Sequence, residues 1–304
     1  MNITLVVLTA LLMDAWLGEP RRFHPLVGFG KLAELTERAI YADSRLHGSL
    51  AVLLLVAPLI FLTTCINFIS WHVAIDVLVL YLAIGWNSLG MHASRVKHAL
   101  LADNLAAARH QVSLMVSRDT AELDRAGITQ GTIESVLENG NDAIFGAIFW
   151  FVVAGAPGAI AYRLVNTLDA MWGYRNERYR HFGWVAARLD DCLNFIPARL
   201  TALSYALTGE VRQALACWRT QGTIWKSPNA GPVMAAGAGS LSLSLGGPAC
   251  YHSKLEFRPL LGTGHVPGID DIDRALNLIK RSLLLWLVII CSGEGFIGYI
   301  ASSA

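Results

Sequence analysis

Between Ser117 and Arg199 an otherwise apolar chain carries Glu134, Glu138, Asn139, Asp142, Arg163, Asn166, Asp169, Arg188, Asp190, Asp191 and Asn194. Ionisable groups beside a membrane are costly to keep, so their density marks a place where chemistry or transport needs them. Glu134 and Glu138 stand four apart, which puts both carboxylates on one helix face, and Asn139 and Asp142 follow where Gly140 is expected to end that helix. Hard oxygen donors in this pattern suit magnesium, which takes one or two carboxylates together with substrate phosphate oxygens. A solvated helix face is the plainer account.

Arg163, Asn166 and Asp169 step by three, placing a guanidinium, an amide and a carboxylate in one row, or simply a local ion pair. Arg188, Asp190, Asp191 and Asn194 gather within two turns. An arginine fork grips phosphate or carboxylate there and an aspartate accepts a proton, with capping near Pro197 as the alternative. Arg118 is expected at a helix start, where unpaired N–H groups attract an anion, and Asp119 with Glu122 reads as a capping box. Ser227 and Asn229 lie in a loop whose backbone amides can face a phosphate. His24, alone at a membrane border, reads more readily as structural than catalytic.

The elements that must position these groups are helices in a bilayer. Of 304 residues 54% are hydrophobic and 15% charged, and the mean hydropathy is +0.45, which argues for an all-α integral membrane protein. No basic tail or acidic run points to nucleic acid. Cys65, Cys192, Cys217, Cys250 and Cys291 form no C-x-x-C pair, so neither a disulfide framework nor a zinc site is indicated. The absence of Walker, H-E-x-x-H, G-x-S-x-G and Rossmann signatures excludes the commonest ATP-binding and hydrolase folds.

Four segments are expected to span the membrane, at about residues 2–17, 48–70, 73–90 and 282–302. The first lacks the charged start and cleavage site of a secretory signal and is read as a short membrane helix. All 24 Lys and Arg fall between Arg21 and Arg45 or between Arg95 and Arg281. Basic loops stay in the cytoplasm, so both termini are expected outside, with the turn at Ser70-Trp71-His72. A fifth apolar segment, about 143–168, is interrupted by Ala154-Gly155-Ala156-Pro157-Gly158. A single crossing there would strand Arg175, Arg178, Arg180 and Arg188 outside, so a re-entrant pair of half-helices is preferred.

The rest reads as cytoplasmic helices over about 91–142 and 169–281 of one membrane-embedded domain, residues 1–304. Residues 201–221 read as one amphipathic helix. The small residues Ala235–Ser240 demand close packing in a helix ended by Gly246-Gly247-Pro248, and 249–269 read as surface loop.

Taken in order, Asp14…Gly18-Glu19-Pro20…His24-Pro25, Ser117-Arg118-Asp119-Thr120, Glu134-Ser135…Glu138-Asn139…Asp142, Tyr162-Arg163…Asn166-Thr167-Leu168-Asp169, Gly173-Tyr174, Ala187-Arg188-Leu189-Asp190-Asp191, Asn194, Pro197-Ala198-Arg199 and Ser227-Pro228-Asn229-Ala230-Gly231 resemble the adenosylcobinamide-phosphate synthase family of cobalamin assembly. The resemblance runs from the first helix to about Gly247. It implies a multi-pass inner-membrane enzyme with its site on the cytoplasmic side. Such an enzyme joins (R)-1-amino-2-propanol or its O-phosphate to the free carboxylate of adenosylcobyric acid, with ATP and magnesium.

On that reading Glu134, Glu138, Asn139 and Asp142 would hold the metal. Arg118, Arg163, Asn166, Tyr174, Arg188, Asn194, Ser227 and Asn229 would bind substrate or phosphate, and Asp169, Asp190 or Asp191 would be the base. The reading requires these groups to meet in one pocket. Its partners are the corrinoid, the amine, the lipid bilayer and either a second copy of the chain or other corrinoid enzymes. Two positions depart from the family pattern: Met234 stands where a glutamate is usual and Val27 where an arginine is common. The rival readings are a transporter or non-catalytic relative on the same scaffold, since broken helices also carry transport sites, and a metal-dependent phospho-alcohol transferase.

Overall fold

An asparagine side chain begins the first helix: Asn2 Oδ1 accepts from the Leu5 N–H at 2.8 Å, satisfying one of the donors a helix start leaves open. In this computed structural model, which describes residues 2–20, 24–66, 72–174, 176–251 and 254–303, the elements follow in order. They are α1 (Ile3–Leu17), α2 (Pro25–Ile40), α3 (Arg45–Ile66), α4 (His72–Ala83), α5 (Trp86–Leu101), α6 (Leu105–Ser113) and α7 (Arg125–Gly140). A π-turn (Asn141–Phe145) leads into α8 (Gly146–Trp172), α9 (Trp184–Thr208), α10 (Val211–Gln221) and α11 (Ala230–Leu241). Four short strands, β1 (Leu245–Gly246), β2 (Ala249–Tyr251), β3 (Lys254–Glu256) and β4 (Leu260–Leu261), precede α12 (Asp271–Ser303).

The chain is all-α in character and, among the described residues, has four helical runs long and apolar enough to cross a membrane: Arg45–Ile66, His72–Leu101, Arg125–Trp172 and Asp271–Phe296. The shorter Ile3–Leu17 is also apolar. The second run is interrupted at Ile84–Gly85, where the Gly85 N–H leaves the helix to donate to the Ala143 carbonyl at 3.0 Å. Residues 67–70 of the expected second span, Ser70 and Trp71 of the expected turn, and Arg21 and Arg175 lie outside the described residues.

By contact the chain divides into two compact units. One holds Met1–Trp86, Asp142–Asn194 and Ile290–Ala304, the other Asn87–Asn141 and Phe195–Ile289. In the first unit α2, α3 and α8 pack around Phe29, Val52, Leu55, Leu168, Trp172 and Phe182. Trp172 and Phe182 meet edge to face at 5.0 Å, an arrangement aromatic quadrupoles favour. Glu37 is buried at the rim of this core, and its carboxylate accepts from Trp172 Nε1 at 3.0 Å and from both Nε and Nη2 of Arg178 at 3.0 and 2.7 Å.

The expected interruption of α8 is present. Ala154 and Gly155 leave helical geometry, Gly155 with φ +64°, a value that costs a residue with a Cβ. Beyond it the chain folds back: a Cβ on Gly158 would lie 2.4 Å from the Trp150 carbonyl oxygen, and one on Gly146 would lie 2.2 Å from Tyr162 Oη. Only glycine permits the two arms to approach so closely.

The second unit is organised around α11, all of whose residues are buried, packed against α10 and α7. Small side chains allow that approach, as the Ala235–Ser240 stretch requires.

Several local expectations are corrected. α7 does not end at Gly140 but passes into the π-turn; Gly140 is needed because a Cβ would come within 2.2 Å of Tyr205 Oη. Its N-cap is Asp124, accepting from Gly127 N at 2.7 Å, so Asp119 and Glu122 form no capping box and Arg118 does not stand at a helix start. Residues 201–221 are two helices broken at Gly209–Glu210. α11 ends at Leu241 because Ser242 turns left-handed, before the glycine pair. Residues 249–269 are not all loop: β2 pairs with β3, and β4 pairs with β1, both antiparallel.

Candidate functional site

The second arm of α8 faces the start of α9 and carries a closed ring of hydrogen bonds. Arg163 Nη1 donates to the Asp142 carbonyl at 3.3 Å and to Asn166 Oδ1 at 3.2 Å. Asn166 Nδ2 then donates to Asp190 Oδ1 at 3.1 Å, and Asn194 Nδ2 donates to Asp190 Oδ2 at 3.1 Å. Tyr162 closes the ring, with its hydroxyl 2.9 Å from Asn194 Oδ1 and 3.2 Å from the same Asp142 carbonyl. Because the amide oxygens accept from Arg163 and Tyr162, the NH2 groups must turn toward Asp190.

Asp190 is thus held by two neutral amides, and among the described residues no cation stands within ion-pair distance of it. Burial pushes its carboxyl above the usual carboxylate range. The two amide bonds oppose the shift and neighbouring Asp191 adds to it. Each carboxylate oxygen keeps a second acceptor position. Asp169 lies in the field of both Asp190 and Asp191, and Asp191 is 3.5 Å from the exposed Arg188 guanidinium. The three aspartates proposed as base therefore share one place. Tyr174 is exposed in the loop after α8.

Arg163 also reaches outward. Among the described residues its buried Nε has no acceptor, and its side chain is the one charged group among those lining an apolar cavity of about 330 Å³ walled by Leu26, Phe29, Leu59, Leu82 and Leu164. His24 Nδ1 accepts from Leu26 N at 3.2 Å and so caps α2, the structural role. Burial lowers its pKa, with Glu19 opposing and Arg163 adding to that shift.

The second unit holds the other cluster. Glu134 Oε1 accepts from Gln130 Nε2 at 2.9 Å, Gly246 N at 2.8 Å and Arg258 Nη2 at 3.2 Å. Its Oε2 accepts from Arg258 Nη1 at 3.0 Å and from Arg118 Nη2. Those five donors more than fill the roughly four acceptor positions of the carboxylate. Asn139 Nδ2 folds back on Ser135 O at 2.9 Å, while Glu138 is half-buried one turn beyond Glu134.

Of the four proposed metal ligands, Glu134, Glu138 and Asn139 belong to the second unit and Asp142 to the first. Among the described residues no group of three His, Cys, Asp or Glu side chains converges as metal ligands would. In the Ser227–Gly231 loop, Ser227 Oγ itself accepts from Asn229 N at 3.3 Å and Ala230 N at 3.1 Å, and Asn229 Oδ1 accepts from Arg199 at 2.8 Å. Its amides are therefore already engaged. Sequence reasoning did not single out Arg258 and Gln130 at all, or Tyr162 as a hydrogen-bonding residue. Of these, only Tyr162 gave a signal, standing beside Arg163 in the quoted motif.

Comparison with known proteins adds a family. The profile described as "CobD/Cbib protein" matches residues 7–279. The chain is 52% identical over 310 residues to "Cobalamin biosynthesis protein CobD" of Chromobacterium violaceum, covering 99% of each. It is 52% identical over 300 residues to the protein of that name from Stutzerimonas stutzeri, covering 96% of this chain and 98% of the relative. With the one from Mycobacterium tuberculosis the identity is 39% over 282 residues, covering 90% of each. No solved structure matches.

Proposed function

The chain belongs to the CobD/Cbib family of cobalamin biosynthesis, and on that premise we propose that it forms the amide bond between adenosylcobyric acid and (R)-1-amino-2-propanol or its O-phosphate. The observation that carries this reading is Asp190, a half-buried carboxylate oriented by Asn166 and Asn194 and left without a counter-cation among the described residues.

A carboxylate does not react with an amine at neutral pH, because its oxygen is a poor leaving group. In the proposed scheme the corrinoid carboxylate attacks the terminal phosphorus of ATP, ADP departs, and an acyl phosphate results. The amine nitrogen then attacks the acyl carbon and phosphate leaves. Before that attack the ammonium must give up a proton. Three aspartates attract the ammonium by charge, and Asp190 takes the proton on a carboxylate oxygen. Asp169 and Asp191 hold the ammonium, while Arg188 and Arg163 face anionic groups of the substrates. Magnesium enters with the nucleotide as part of the co-substrate, and no step is routed through Glu134, whose oxygens are occupied. The distribution of Lys and Arg supports a cytoplasmic-facing site in the inner membrane.

The test is mass spectrometry of the purified protein incubated with adenosylcobyric acid, each amine, ATP and magnesium. Appearance of the amide product, dependent on ATP, is the expected result. Corrinoid uptake into proteoliposomes with no conversion would replace this reading by transport, which the broken α8 also suits.

A further inference from the structure

Arg118 and Arg258 share one carboxylate. Both guanidinium side chains and Glu134 are more than nine-tenths buried, at 5%, 8% and 5% exposure. Arg258 already neutralises Glu134 as a two-pronged fork, its Nε spent on the Gly247 carbonyl at 3.0 Å and its Cζ 5.3 Å from the Trp225 ring centroid. Among the described residues Arg118 makes one polar contact, Nη2 to Glu134 Oε2, and its guanidinium lies along Gly131, where a Cβ would come 3.1 Å from Nη2; its other N–H groups meet no acceptor among those residues. Among the described residues the cluster therefore has, within ion-pair reach, two cations and one anion. An uncompensated buried charge is strongly unfavourable, and a second anion against the open edge of Arg118 would remove the imbalance.

We propose that the open edge of Arg118, backed by the Arg258–Glu134 pair, is a binding site for a phosphate group. Phosphate fits because a planar guanidinium offers paired parallel donors to it. Glu134 is then not a ligand for a cation but the clamp that holds both arginines in place, helped by Gln130 and the Gly246 N–H. The phosphate has two sources under the function proposed above, the nucleotide and aminopropanol O-phosphate. Only the choice between them rests on that reading; the anion site does not.

The experiment uses the full chain in detergent, titrated calorimetrically with inorganic phosphate, ATP and aminopropanol O-phosphate, with no corrinoid present. Arg118→Gln deletes the excess charge while leaving Glu134 paired to Arg258, so the fold is expected to persist, checked by its thermal midpoint. Phosphate affinity should fall by roughly tenfold or more in this variant. Whichever of the two organic phosphates loses affinity in parallel is the source. Glu134→Gln supplies a test of opposite sign: phosphate should bind more tightly to it, whereas a metal ligand would lose magnesium-dependent binding.

Equal phosphate affinity in wild type and folded Arg118→Gln overturns the proposal, as does weaker phosphate binding by a folded Glu134→Gln. Should the latter not fold, the Arg118→Gln comparison decides alone. Arg118-dependent phosphate binding without amide formation would remove the proposed function and keep this site. Amide formation with Arg118-independent phosphate binding would do the reverse.

Discussion

Tyr162 donates to Asn194 Oδ1 at 2.9 Å, and that bond decides which end of the Asn194 amide faces Asp190. Tyr162→Phe leaves the ring buried but withdraws the donor. The freed amide oxygen would cost about 1–3 kcal/mol if it stays unsatisfied. The expected result is a lower kcat with KM little changed, because the base is misaligned rather than the substrate released. Steady-state kinetics in detergent reads the split, and a rise in KM at constant kcat would contradict it.

Asp190→Asn should lower turnover by about 10²-fold or more, the usual worth of a positioned base. The Asp190 pKa is raised by burial, so in wild type the acid limb of the pH–rate profile should lie above the ordinary carboxylate range and be absent from the residual activity of the variant. Stability should respond with the matching sign. The native state keeps this proton to higher pH than the unfolded chain, so its stability contribution falls as pH rises through that window. The asparagine variant should lose that fall, as thermal midpoints against pH will report.

Gly146→Ala changes no reacting group, yet its new methyl would lie 2.2 Å from Tyr162 Oη. Moving Tyr162 breaks the ring that holds Asp190. Activity should drop at least as far as in Tyr162→Phe, with a lower thermal midpoint from overpacking of about 1–3 kcal/mol. Full activity in this variant would detach the ring from catalysis.

Glu37→Ala leaves the Trp172 indole N–H and the Arg178 fork without their acceptor. Arg178 is half exposed and rehydrates, so the cost falls mainly on the buried indole, about 1–3 kcal/mol. Glu37→Gln retains an acceptor and should recover part of it. Equal midpoints for Ala, Gln and wild type would contradict this account.

Much of the first cluster was legible because its residues lie close in sequence and on helical spacing. Arg163, Asn166, Asp190 and Asn194 needed only two helices facing each other, and the Ala154–Gly158 interruption announced that one helix folds back. The second cluster was not legible in the same way. Glu134 and Glu138 share a helix face whatever surrounds them, so spacing could not tell a metal site from a salt bridge. Arg258, the cation that forks onto Glu134, lies 124 residues away. It sits where two-residue strands pair, a signal too short to show as alternation. The continuation of α7 through a π-turn was hidden for a related reason: Gly140 serves the close approach of Tyr205, and a glycine kept for contact looks the same in sequence as one kept for a turn.

The fold-back at Ala154 and Gly155 sets residue 146 against 162 and 150 against 158, so the hairpin acts as a ruler. An extra residue inserted in its second arm would bring Ala161 opposite Gly146 and swing Tyr162 about 100° around its helix. Relatives of this chain should therefore vary freely in side chain along the outer face of these arms, while gaining and losing residues only at the tip or outside the hairpin.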